Sequence, residues 1–184
     1  MSTFQPATPL CFINPDFHAP QSQRKREIVD PATLQGVGQI GLCDEADVQW
    51  VVAAANAAQR DWKKIDAKSR AARLHQLANA IEQCTERNRE VARLMTLEMG
   101  KPFPEAMGEL ANCAPIFRYY AEMARDDAGK VAGTTQIGSF QHVRYEPYGV
   151  SVHIMPFNFP ILLMCWTVAA SLAAGNACII KPAE

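Results

Sequence analysis

The sequence predicts an α/β protein: a helical layer followed by the beginning of a doubly wound parallel sheet. Three observations carry this. Residues 44–124 hold long runs of apolar side chains at helical spacing. At Gly129 the texture changes to short, turn-punctuated segments. From Val150 the order is strand, loop, apolar helix, strand, which is one βαβ unit with parallel strands. The sheet is begun and not finished, so the expected domain is incomplete at Glu184.

Residues 1–36 are polar and Pro-rich, with a basic run at Arg24, Lys25 and Arg26, and read as a solvated arm. Gly36–Leu42 is a short candidate strand. Asp44 is an N-cap, with Asp47 three residues on. Val48, Val51, Val52, Ala55 and Ala58 then mark a helical stripe that ends at Trp62. Asp66 or Ser69 starts a second helix, apolar at Leu74, Leu77, Ala78 and Ile81. The polar stretch Thr85–Arg89 is expected to interrupt it. Val91, Leu94, Met95 and Met99 resume the period, and Gly100-Lys101-Pro102 stops it. Pro104 suits a first helical turn. Ala106, Leu110, Ala114, Phe117, Tyr120, Ala121 and Ala124 form the next stripe, which Pro115 is expected to kink. Ser139–Tyr145 alternates as an exposed strand. Val150–Met155 is a strand, apolar at Val150, Val152 and Ile154. A loop holds Pro156–Pro160. Ile161–Ala174 is apolar all round, as a helix packed on a sheet would be. Gly175-Asn176 closes it, and Ala177–Lys181 is the last strand.

Composition excludes several classes. The 184 residues are 48% hydrophobic and 20% charged, unlike a disordered chain. With 18 basic and 19 acidic residues, no global field recruits nucleic acid or anionic lipid. The apolar run Ile161–Ala174 falls short of the ~20 residues that span a bilayer. Met1–Leu10 holds no basic residue and no long apolar run, so no secretory signal is expected there. Cys11, Cys43, Cys84, Cys113, Cys165 and Cys178 are scattered, with no C-x-x-C pair, so no metal site is expected. They read as reduced thiols of a cytoplasmic protein.

The informative segment runs from Glu146-Pro147-Tyr148-Gly149 through Pro156-Phe157-Asn158-Phe159-Pro160. It continues to Gly175-Asn176 and ends in Lys181-Pro182-Ala183-Glu184. With Glu98-Met99-Gly100-Lys101-Pro102 upstream, it resembles the NAD(P)-dependent aldehyde dehydrogenase superfamily over roughly residues 28–184. Phe157 stands where that family usually has Trp. The resemblance implies a Rossmann-like sheet and four parts. These are an arm (1–36), the helical part of the cofactor-binding domain (37–130), an oligomerisation-type strand segment (131–147) and the start of the NAD-binding sheet (148–184).

It also implies roles. Asn158 matches the amide that donates to the oxyanion of the tetrahedral intermediate, a neutral donor that never competes as a base. On residue type alone, an Asn there reads as one that ties up its own loop backbone. Ile154, Met155, Pro156 and Phe157 match positions near the nicotinamide, and Lys181 and Glu184 match the ribose grip. A carboxylate accepts two ribose hydroxyls and repels a 2′-phosphate, so Glu184 favours NAD over NADP. Away from the resemblance, Lys181 and Glu184 read as a solvated pair at a strand end.

The family oxidises an aldehyde to a carboxylic acid through a cysteine thiohemiacetal, with a glutamate activating the hydrolytic water. Its nucleophile and base match nothing in these residues. Cys165 lies in an apolar helix, where burial raises a thiol pKa. The 184-residue chain alone is therefore expected to be inactive, and the complete protein to be a dimer or tetramer. The alternative is a truncated, non-catalytic subunit or interaction module.

Overall fold

The computed structural model describes residues 11–13, 16–126, 129–133 and 136–183. The stretch read as a solvated arm contains strands. β1 (Cys11–Ile13) pairs antiparallel with β2 (Asp16–His18), and β3 (Lys25–Val29) with β4 (Gly36–Gly41). β3 is charged and largely exposed, with only Ile28 half-buried, so it carries no alternation to read.

α1 (Glu45–Trp62) opens with the expected cap. The Asp44 carboxylate accepts from the amides of Ala46 and Asp47, and Asp47 accepts from the Asp44 amide at 3.0 Å. The buried face is displaced from the expected stripe. Asp47 and Gln59 point inward, while Val48 and Val52 are exposed. The cause is hydrogen bonding: Asp47 accepts from the Gln21 amide at 2.9 Å, and Gln59 donates to the Gly175 carbonyl at 3.4 Å. α2 (Ala67–Gln83) starts at Asp66, which accepts from the Ser69 amide at 2.8 Å.

The expected interruption at Thr85–Arg89 shrinks to Cys84, and α3 (Thr85–Met99) begins at once. The Asn88 amide group donates to the Ile81 carbonyl at 2.7 Å and ties the two helices together. Gly100, at φ 77°, ends α3 in the left-handed region. The single kinked helix expected around Pro115 is two helices: α4 (Phe103–Ala111) and α5 (Cys113–Asp126), broken at Asn112. Pro115 falls in the first turn of α5, where its missing N–H leaves no helical bond unmade.

The main core lies between α2, α5 and α6 (Pro160–Ala173). Ala71, Leu74 and Ala78 meet Ala114, Phe117 and Ala121, and Cys165, Ala169 and Ala173 close the third side. The many small side chains let the helices approach closely. A smaller cluster joins Ala92 and Met95 of α3 to Ala106 and Leu110 of α4.

β5 (Lys130–Ala132) pairs antiparallel with β6 (Gln141–Val143), shorter than the predicted Ser139–Tyr145 strand. β7 (Val150–Ile154) and β8 (Ala177–Lys181) pair in parallel across α6, as the βαβ reading requires. The face of β7 toward α6 is the polar one. Ser151 Oγ lies 2.6 Å from Ser171 Oγ on α6 and 2.8 Å from His153 Nε2. Val152 and Ile154 are 60% and 71% exposed, so the apolar face of the strand is the open one.

The C-terminal end of α6 is held by distant side chains. Trp62 Nε1 donates to the Leu172 carbonyl at 2.9 Å, and Arg70 Nε to the Ala173 carbonyl at 3.0 Å. These satisfy carbonyls that a helix end leaves orphaned. Asn176 then accepts from the Gly149 amide at 2.9 Å, joining the start of β8 to the start of β7.

Candidate functional site

The parallel strands β7 and β8 end side by side, Ile154 opposite Lys181 in register. The ladder runs one step further, the Met155 amide donating to the Lys181 carbonyl at 3.0 Å. Met155 is buried, whereas Ile154 and Lys181 are exposed. Beyond Met155 the chain leaves the sheet as an exposed loop, Pro156-Phe157-Asn158-Phe159, and enters α6 at Pro160. Ile154, Met155, Pro156, Phe157, Asn158 and Lys181 thus gather at the carboxyl ends of the two strands, where open α/β sheets bind ligands. Glu184 lies outside the described residues.

What holds this loop was not legible as a function in the sequence. Lys101, just past the left-handed Gly100, extends Nζ to the backbone carbonyl of Asn158 at 2.8 Å. The same ammonium bonds the Glu109 carboxylate and sits 3.8 Å from the centroid of the Phe159 ring. The other oxygen of Glu109 accepts from the amides of Ile161 and Leu162 at 2.8 and 2.9 Å. Those are orphan donors of the first turn of α6, whose own N-cap residue, Phe159, provides no side-chain bond. Glu109 therefore caps α6 from another helix, with its charge at the positive end of the α6 dipole. The side chains of Lys101 and Glu109 are 6% and 0% exposed. A Lys eight residues before a Glu, across a helix start, is no standard spacing, and the loop it serves is far away in the chain.

Asn158 is anchored through its backbone. Among the described residues its carboxamide makes no hydrogen bond, so it does not tie up its own loop. Asn158 is exposed on the loop that leaves β7.

Cys165 is buried in the main core, away from solvent. The reason for its isolation differs from the expected one. The neighbouring Cys113 thiol pulls the Cys165 thiol down, while Cys165 and burial push Cys113 up. Enclosure keeps Cys165 from solvent, whatever its acidity. His153 is also buried, and burial lowers its pKa below the ordinary 6.5. Among the described residues no group of three or more His, Cys, Asp and Glu side chains could hold a metal ion. No helix among them is long and apolar enough to cross a membrane.

The comparisons with known proteins agree with this architecture. Rat retinaldehyde dehydrogenase 3 is 41% identical over 178 residues, covering 94% of this chain and 34% of its own length. The crystal structure of an E. coli NADP dependent enzyme superposes with a TM-score of 0.87 at 30% identity, covering 96% of this chain and 36% of that one. Betaine aldehyde dehydrogenase from Staphylococcus aureus, solved with NAD+, superposes with a TM-score of 0.87 over 97% of this chain and 36% of its own. Its 24% identity speaks to the fold alone. The chain spans about a third of the length of these relatives. The sequence profile of the aldehyde dehydrogenase family matches residues 17–184, eleven residues further toward the N-terminus than the motifs alone suggested. The chain belongs to the aldehyde dehydrogenase family.

Proposed function

We propose that this chain forms the N-terminal part of an NAD-dependent aldehyde dehydrogenase, oxidising an aldehyde to a carboxylic acid. Its own contribution is one donor of the oxyanion hole and part of the cofactor cradle. The observation that carries this is Asn158, with its backbone carbonyl bound by a buried ammonium and its carboxamide unengaged among the described residues. A neutral donor on an anchored backbone, with its N–H groups unspent, is what a developing oxyanion needs.

The cysteine nucleophile and glutamate base belong to chain beyond these residues, and the segment alone is inactive. The strand ends fit a dinucleotide: Ile154 and Phe157 offer exposed apolar side chains, and Lys181 a cation, at the carboxyl end of parallel strands. When bound, NAD supplies the hydride acceptor. Glu184 would hold its ribose and select against a 2′-phosphate. The complete enzyme is cytoplasmic and a dimer or tetramer, with residues 131–147 at a subunit contact. The exposed Val131, Phe140 and Tyr145 support that last point, and equally a second reading in which the chain is a non-catalytic subunit.

The test is Asn158→Ala in the complete enzyme. Turnover is expected to fall about 100- to 1000-fold with little change in NAD affinity. Unchanged turnover overturns the oxyanion role. Sustained aldehyde-dependent NADH formation by the isolated 184-residue chain overturns the claim of inactivity. Solubility only in the presence of a partner chain, together with no loss on Asn158→Ala, favours the second reading.

A further inference from the structure

A buried ion pair is a poor way to join two elements, because desolvation offsets most of the attraction. Residues of the same volume and no charge would pack Lys101 and Glu109 at least as well. What they could not do is hold polar groups of a loop. Lys101 Nζ reaches the carbonyl of Asn158 and the ring of Phe159. Glu109 reaches the amides of Ile161 and Leu162. Every one of these contacts falls within residues 158–162, the segment that carries the candidate oxyanion donor. Glu109 holds the start of α6, and Lys101, oriented by Glu109, holds the residue two positions before it.

We infer that Lys101 and Glu109 are positioning residues for Asn158. They fix the backbone of the loop, and with it the point from which the Asn158 side chain extends. This rests on the reading of Asn158 as an oxyanion donor. Neither residue touches the substrate. Their effect on the reaction passes through Asn158, and their effect on the loop is independent of any reaction.

The experiment uses the complete enzyme carrying Lys101→Met together with Glu109→Gln. This pair strands no charge, and the Gln oxygen still accepts from the α6 amides. Two readouts are taken. The first is amide hydrogen exchange at the junction of the loop with α6, read at Ile161 and Leu162, whose N–H groups donate to residue 109, with α2 and α5 as internal references. The second is kcat and KM, in the presence and absence of Asn158→Ala. Exchange at the junction is expected to rise about tenfold or more while the references hold. Turnover should fall about 10- to 100-fold, with KM values moving less than about twofold. In the Asn158→Ala background the double substitution should lower turnover no further.

Unchanged exchange at the junction overturns the inference. So does a loss of turnover that persists undiminished in the Asn158→Ala background, because the pair would then act by another route. Should Asn158→Ala itself leave turnover intact, the oxyanion reading fails, while the exchange result still decides whether the pair holds the loop. If the double variant does not fold, Phe159→Leu removes only the ring beside Lys101. It should raise exchange at the junction in the same direction, and no rise counts against the inference.

Discussion

Removing Glu109 alone is the severest single test of how the site is held. Glu109→Ala leaves the Lys101 ammonium, 6% exposed, without its counter-charge, and leaves the amides of Ile161 and Leu162 without their acceptor. Breaking one side of a buried pair typically costs about 3–5 kcal/mol. The two lost amide bonds are part of the same event and are not added to it. For a urea dependence of about 2 kcal/mol per molar, the unfolding midpoint should drop by about 2 M. Tryptophan fluorescence is a suitable probe, because the Trp62 indole bonds the far end of α6. The control is Glu82→Ala, which breaks a bidentate pair with Arg118 on the exposed faces of α2 and α5. Solvent screens that pair, so its effect should be small. A midpoint for Glu109→Ala within about 0.5 M of the parent would refute the reasoning. It would mean that Lys101 reaches water once released and that the pair is not energetically buried.

Two further outcomes are expected, one from a buried histidine and one from the ribose argument. Burial lowers the His153 pKa below 6.5, so the unfolded chain takes up a proton at a higher pH than the native one. The native state is therefore at full advantage above pH 6.5 and loses stability as the pH falls from there to the native pKa. His153→Asn should flatten urea midpoints over that window, and an equally steep loss in the variant would assign the slope elsewhere. Glu184→Gln in the complete enzyme should raise NADP use relative to NAD, and an unchanged ratio of kcat/KM for the two cofactors would remove Glu184 from the ribose site.

Much of the local structure was legible because its causes are local. Asp44 and Asp66 announced α1 and α2 through bonds to amides two or three residues away. Gly100 announced the end of α3 because only a left-handed residue closes that turn. Pro115 misled because a proline reads as a kink inside a helix and as an ordinary first-turn residue at its start. Only the break at Asn112, set by how α4 and α5 pack, decides between them. β3 went unseen because its partner, β4, supplies the pairing that its own charged sequence does not suggest. At the site, the loop residues stood out through a family resemblance. Lys101 stood out only as part of a turn motif, and Glu109 not at all. Its partners Ile161 and Leu162 are more than fifty residues away, and no spacing rule reaches that far.

The same logic explains how α6 acquires a definite position. It is apolar on every side, so burial alone does not choose one rotation about its axis over another. Non-directional forces hold it in the core and leave its register open. The polar contacts at its ends close that freedom. Glu109 takes the amides of Ile161 and Leu162 at one end, while Trp62 and Arg70 take the carbonyls of Leu172 and Ala173 at the other. Hydrogen bonds are directional, so four of them at opposite ends fix both rotation and translation. The loop of Asn158 enters this helix directly, and its placement inherits that register. A substitution at Trp62 or Arg70, remote from the loop in sequence, acts on the same element that Glu109 anchors.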